Sequence, residues 1–331
     1  MDGRPLLRPW FGGVPRLLSF LLPSIREVLG DQLVVATTGL VIPTEDVTLH
    51  RQYPNKLVAF LTWTGLSSFD RLFREQHADI LFLPNIEFVG RPVLPYALLV
   101  HDLSFLIEPR WFNWKMRIWH KVVKPKMLIK NASALFTVSE TSKQDLMRLL
   151  DIPEERITVI PMGLDMTEPS DVSRDTRHAT RFILCLSANN HRKNTECVIA
   201  AHKALIKQEK YKDVKLVITG SPDVPRPSYP DLFALMRDAS VFCYQSWYEG
   251  FGMPLHEAAR FGTPCIASTA SSLPEIAPQG TRFASPAKPQ HWLEAICQTL
   301  DHPENHRTQT ILGDWKPAGL LIAEKLRGIV R

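Results

Sequence analysis

The chain has 331 residues, 45% hydrophobic and 22% charged, with 39 basic against 34 acidic side chains and a net charge of +5. That balance excludes a disordered chain, and the length accommodates two domains of ordinary size. The charge is too mild to imply nucleic acid, and no apolar run is long enough to span a membrane.

Taken in chain order, residues 14–29 read as a helix and 32–37 as a strand. The apolar run at 17–22 is short and stopped by Pro23, which argues against a signal peptide. Strands follow at 56–62, 79–83, 97–100 and 134–138, with helices at 69–76, 114–129 and 141–150. Ser139, Thr141 and Ser142 open the last of these, and Thr141 and Gln144 have capping-box spacing. Residues 166–180 are rich in Asp, Ser, Thr, Arg and Pro without apolar period, as in a linker. Beyond it, strands are expected at 182–187, 215–219, 241–244 and 264–267. Helices are expected at 195–207, 229–238, 254–261, 290–300 and 315–330.

Apolar strands alternating with helices imply parallel sheets covered on both faces. The expected fold is α/β, with two Rossmann-like domains, 1–165 and 181–312, whose sheets face a central cleft. A final helix, 313–331, is expected to return toward the first domain. Ligands of such sheets bind beyond the carboxyl ends of the strands. Cys185, Cys197, Cys243, Cys265 and Cys297 are odd in number and lack metal-ligand spacing, which fits a reduced, cytoplasmic location.

Several strand ends carry chemistry. After the strand at 241–244, Glu249 and Glu257 are separated by seven residues, with Gly250 and Gly252 in the loop and Pro254 opening a helix. Glycines permit close backbone approach, and a helix start suits a phosphate or sugar hydroxyls. By spacing alone, Glu257 reads as a first-turn carboxylate complementing the helix dipole and Glu249 as a solvated loop residue. Arg192 and Lys193 follow the strand at 182–187, where two cations suit an anionic ligand. An ordinary basic surface turn is the commoner fate of such a pair. His101 ends the strand at 97–100 and points to the expected cleft, though a lone histidine is more often structural. Gly12 and Gly13 precede the first helix and are weak evidence alone.

Residues 110–130 hold Arg110, Lys115, Arg117, Lys121, Lys124, Lys126 and Lys130 without an acidic residue, interleaved with Trp111, Phe112, Trp114 and Trp119. That mixture suits an anionic membrane surface. The other reading is a solvated basic face with the aromatics in the core.

The whole run Tyr248-Glu-Gly-Phe-Gly-Met-Pro-Leu-His-Glu-Ala258 resembles the retaining glycosyltransferases of family four, the group 1 enzymes of GT-B architecture. The resemblance continues in order through Phe261-Gly-Thr-Pro-Cys-Ile-Ala-Ser268 and Ser272-Leu-Pro-Glu275. Upstream it includes Met1-Asp-Gly-Arg-Pro-Leu6, Gly12-Gly-Val-Pro-Arg16, His101-Asp-Leu-Ser-Phe105, Val138-Ser-Glu-Thr-Ser-Lys-Gln-Asp-Leu146, Ile160-Pro-Met-Gly163 and His191-Arg-Lys-Asn194.

The resemblance implies a nucleoside-diphosphate sugar donor and transfer of a hexose, with mannose from a guanosine diphosphate donor the specific expectation. Glu257 would bind the donor ribose and Glu249 would lie near the transferred sugar. Backbone groups of Phe251, Gly252, Met253, Pro254 and Leu255 would line the donor, with the N–H groups of Gly252, Met253 and Leu255 holding hydroxyls and phosphate. Gly12 and Gly13 would approach the diphosphate or acceptor. Arg192 and Lys193 would neutralise the leaving group, and His101 would contact the donor sugar or polarise the acceptor hydroxyl. No Asp-x-Asp motif is evident, so no metal and no cofactor are expected. The acceptor would be a glycan or a lipid-linked species, nucleic acid is not expected as a partner, and the location would be cytoplasmic or peripheral at the inner membrane face.

The chain departs from the family pattern after Gly220, where a helix and strand that help recognise the base are lacking. That favours an alternative, a catalytically impaired GT-B-like protein binding a nucleotide or partner. A nucleotide-sugar hydrolase or epimerase on the same fold is a third reading.

Overall fold

The computed structural model describes residues 1–7, 13–38, 47–53, 60–62, 64, 68–164, 181–186 and 190–330. The chain divides into two compact units, Met1–Asp165 with Asp314–Arg331, and Met166–Gly313.

The first unit contains β1 (Ala36–Thr38), β2 (Leu49–Arg51), β3 (Leu81–Leu83), β4 (Tyr96–Val100), β5 (Ala134–Thr137) and β6 (Ile157–Val159), all in parallel pairs. Residues 1–3 join the pair β1-β2 to the sheet β3-β4-β5-β6. The Asp2 N–H donates to Phe82 O at 2.9 Å, and the Ala36 N–H to Met1 O at 3.0 Å. All five residues of β4 are buried, as expected of a strand covered on both faces.

Helix α1 (Gly13–Leu29) buries Leu17, Leu18, Leu21, Leu22 and Ile25, one apolar stripe at helical spacing. Pro23 lies inside this helix without ending it. The terminal helix, Lys316–Val330, packs against α1. A Cβ at Gly319 would come within 2.4 Å of Ser24 Cβ, so only glycine permits this approach.

Three expectations in this unit need correction. Residues 60–62 are helical, not strand, with the Thr64 N–H on Phe60 O at 3.0 Å. Residues 56–59 of the same expected strand lie outside the described residues. The helix expected at 114–129 is two, α2 (Trp114–Val123) and α3 (Pro125–Asn131), separated by Lys124 at φ 54°. Proline disfavours helical backbone in the residue before it and suits a helix's first turn, so Pro125 starts afresh. The cap of α4 (Glu140–Leu150) is Ser139, whose Oγ accepts from the Ser142 N–H at 3.1 Å, and not Thr141.

The second unit alternates β7 (Phe182–Cys185), α5 (Thr195–Leu205), β8 (Lys215–Ile218), α6 (Tyr229–Asp238), β9 (Val241–Tyr244), α7 (Met253–Ala259), β10 (Cys265–Ser268), α8 (Leu273–Ile276), β11 (Arg282–Ala284) and α9 (Pro289–Asp301). The sheet order is β11-β10-β9-β7-β8, all parallel. Alternate strand residues serve opposite faces. Ile183, Cys185, Val241 and Cys243 pack with Val198 and Trp292 on one side. Phe182, Leu184, Phe242 and Tyr244 pack with Met236 and Leu255 on the other.

No strand lies between β8 and β9, so β8 stays at the sheet edge and the chain crosses back over β7 through α6. The connections after β7 and β9 therefore leave on opposite sides of the sheet. That reversal opens a crevice at the carboxyl ends of these two neighbouring strands. Among the described residues, no helix is long and apolar enough to cross a membrane.

Candidate active site

The crevice between β7 and β9 is built from two loops. Behind β7, Asn190 Oδ1 accepts the Arg192 N–H at 3.0 Å and caps a tight turn over His191–Lys193. Asn194 follows at φ 52°. Its side chain donates to Gln245 O at 3.2 Å and Pro286 O at 2.7 Å, tying the turn to the loops after β9 and β11. The Trp247 N–H completes the link by donating to Arg192 O at 2.8 Å.

These ties bring two cations to one carboxylate. Arg192 Nη1 lies 2.9 Å from Glu249 Oε2, and Lys193 Nζ lies 2.7 Å from Glu249 Oε1. The same Nη1 donates to Tyr248 O at 2.6 Å. Lys193 also donates to the Tyr244 hydroxyl at 2.9 Å. Glu249 is buried, not solvated. Burial alone would raise its pKa, but the adjacent Lys193 and Arg192 outweigh it and hold the carboxyl at about 2. Its loop is fixed by Ser271 and Ser272, whose hydroxyls donate to Glu249 O at 2.6 and 2.9 Å.

Glycine at 252 answers to the fold. Its φ is +124°, and a Cβ there would stand 3.0 Å from both Leu273 and Ile276 side chains. The space a side chain would need there is thus occupied by α8, so the fold itself demands glycine at this position. Pro254 sits in the first turn of α7, as expected. The Leu255 N–H, expected to hold the donor, donates to Gly252 O at 2.9 Å. Met253 and Phe251 are half-buried, and the Phe251 ring stacks on His256 with centroids 5.4 Å apart. Burial holds His256 neutral, with its pKa at about 4. Glu257 falls one turn into α7, not in its first turn, and is 6% exposed. Such burial fits neither a solvated carboxylate nor a simple dipole partner.

The expected residues divide between the units. Arg192, Lys193, Glu249 and the run from Phe251 to Glu257 share the second. His101 and Gly13 belong to the first, and Gly12 lies outside the described residues. His101 Nε2 is 2.8 Å from Pro84 O, beyond β3. A carbonyl only accepts, so Nε2 carries the hydrogen and Nδ1 is left as an acceptor. Burial lowers the pKa of this imidazole and keeps it neutral. A Cβ at Gly13 would meet nothing within 4 Å, so the fold does not demand glycine there.

Tyr244, Asn194, Ser271 and Ser272 join the site without any spacing or residue pattern that marks them in the sequence. Asn194 and Ser272 do lie in family-like segments, and that was their only signal.

The basic segment also changes character. No residue of α2 is buried, and Trp114, Ile118 and Val122 are 66%, 51% and 36% exposed. Trp111, Phe112 and Trp119 are half-buried, with Phe112 and Trp119 packed on His120 at 5.0 and 5.3 Å. Glu108, just outside the segment, pairs with Arg110 at 2.6 Å and offsets its charge.

Residues 11–168 match the model of Glycosyltransferase Family 4, and residues 180–302 that of Glycosyl transferases group 1. The chain belongs to the group 1, family four glycosyltransferases. Among family relatives, the MMP alpha-(1->4)-mannosyltransferase of Mycolicibacterium hassiacum is 30% identical over 230 residues, 62% of this chain and 54% of that protein. The chain spans about half the length of the first curated relatives it matches. Sucrose-phosphate synthase from Thermosynechococcus elongatus superposes with a TM-score of 0.72, covering 96% of this chain and 94% of that one at 17% identity. Anabaena HepE in complex with UDP-glucose superposes with a TM-score of 0.60, covering 99% and 96% at 16% identity. At such identities the likeness is one of fold, the GT-B fold.

Proposed function

We propose that this chain is a retaining transferase that moves a hexose, specifically mannose, from a nucleoside-diphosphate sugar to a glycan or lipid-linked acceptor. The observation that carries this reading is the Arg192–Glu249–Lys193 cluster at the strand-order reversal of the second unit. Its two cations and one carboxylate leave a net positive charge where a diphosphate leaving group develops negative charge. That charge makes the reaction independent of a metal. Glu249 faces the transferred sugar and Glu257 the ribose. His101 acts on the acceptor through the lone pair of Nδ1.

The mannosyltransferase relative supports mannose, and the HepE complex supports a nucleotide-sugar donor. An exposed apolar ridge among lysines on α2 supports a peripheral site on an anionic membrane. The edge position of β8, followed directly by α6, favours a second reading in which a nucleotide binds but no sugar moves.

Thermal shift with guanosine diphosphate mannose, uridine diphosphate glucose and other nucleotide hexoses tests the donor site. One of them at about a hundred times its dissociation constant stabilises the fold by about 2.7 kcal/mol. No shift with any donor sinks the reading. Product analysis then expects anomer-retained transfer, undiminished by EDTA. Stabilisation without transfer selects the second reading.

A further inference from the structure

Tyr244 ends β9 and is 3% exposed. Its ring shares one core face with Phe242, two residues earlier on the same strand, at a centroid distance of 5.9 Å. A phenylalanine would fill that face equally well, so the hydroxyl needs its own explanation. It lies 2.9 Å from Lys193 Nζ, and the same Nζ is 4.6 Å from the centre of the tyrosine ring. Both the oxygen and the ring face are therefore turned to one ammonium. Burial and the nearby Glu249 carboxylate raise the phenol's pKa, so the hydroxyl keeps its proton.

The two cations are held differently. Arg192 presents a rigid fork, and its Nη1 is anchored on Tyr248 O at 2.6 Å. Lys193 carries its charge on a flexible four-carbon stem, and fixing such a stem costs rotamer entropy. Both face Glu249, which here takes the place of an anion between them. An incoming diphosphate competes with that carboxylate for the same two cations. Once a phosphate oxygen replaces Glu249 Oε1, the ammonium still has the Tyr244 oxygen and ring to hold its direction.

We propose that Tyr244 is a positioning residue of the diphosphate subsite, which keeps Lys193 aimed as Glu249 gives way to phosphate. This rests on the reading of the second unit as a donor site.

Calorimetric titration with inorganic pyrophosphate tests it without reference to sugar or base. Four proteins are compared: wild type, Tyr244→Phe, Lys193→Met and the double variant. Tyr244→Phe keeps the ring and weakens pyrophosphate about tenfold, the size of a hydrogen bond to a charged group. In the Lys193→Met background the same change has less than about a twofold effect, because the coupling runs through the ammonium. A purely structural tyrosine lowers the melting temperature without moving the pyrophosphate constant. That result overturns the proposal, and so does an equal loss in both backgrounds. Should the phenylalanine variant not fold, Tyr244→Met removes both the hydroxyl and the ring. It is expected to weaken pyrophosphate by about tenfold or more in the wild-type background and by less than about twofold in the Lys193→Met background. Failure of the wild type to bind either pyrophosphate or any nucleotide sugar removes the donor site itself, and this inference with it. Tight wild-type binding that Tyr244→Phe leaves unchanged removes the inference alone.

Discussion

Glu249 shows how one residue's surroundings set its chemistry. Its side chain is 9% exposed, with one cation on each oxygen. Removing it takes the shared carboxylate from two half-buried positive charges, a costly change. Its folded pKa, at about 2, lies below the ordinary 4.5. The stabilisation is therefore fully present above the unfolded value and is lost as pH falls through the folded one. The two values correspond to about 3 kcal/mol at neutral pH. Denaturant unfolding of wild type and Glu249→Gln should differ by about that amount near pH 7. The gap should contract as pH drops from about 5 to about 3. A gap that stays constant over this range would show that the ion cluster is not its source. In the sequence, only family resemblance groups Glu249 with Arg192 and Lys193. Nothing in the residues themselves says that the carboxylate is shared between them.

At the scale of elements, the passage from β9 through the Glu249 loop into α7 is held by packing against α8. Gly252→Ala must adopt φ near +124° and press a methyl group against Leu273 and Ile276. We expect it to destabilise the chain by about 2 kcal/mol, read as a lowered denaturation midpoint with unchanged slope. Wild-type stability in this variant would show that the turn has another way to close. Longer elements were legible because their apolar residues repeat over several turns or fill a whole buried run. Val241–Tyr244 and Tyr229–Asp238 coincide with their expected bounds. The three-residue strands β2, β6 and β11 were missed, since three residues define no period. The break at Lys124 was readable in Pro125 but was overridden by the surrounding amphipathic pattern.

For the molecule as a whole, the proposed membrane contact rests on the exposed side of α2. Trp114, Ile118 and Val122 stand four residues apart and form one ridge, with Lys115, Arg117 and Lys121 around it. The protein should sediment with vesicles containing anionic lipid and much less with neutral ones. A double change, Ile118→Asp with Val122→Asp, should abolish sedimentation while leaving the melting temperature within about 2 °C, because neither side chain is buried. Absence of binding to anionic vesicles removes the membrane from the reading.

By itself, the sequence determined the α/β class, most helices and strands, and the loops that carry polar groups. Those follow from local spacing of apolar residues and from glycine and proline at element ends. It also carried the family, through ordered motifs along most of its length. Only the tertiary structure decided that Lys193 and Glu249, 56 residues apart, share an ion pair, and that Tyr244 holds the same ammonium. The physical reason is topological. β8 follows β7 in the chain, yet β9 is the strand that pairs on β7's other side. A neighbour relation of that kind comes from burying both faces of a parallel sheet, and it leaves no mark in the spacing of residues along the chain.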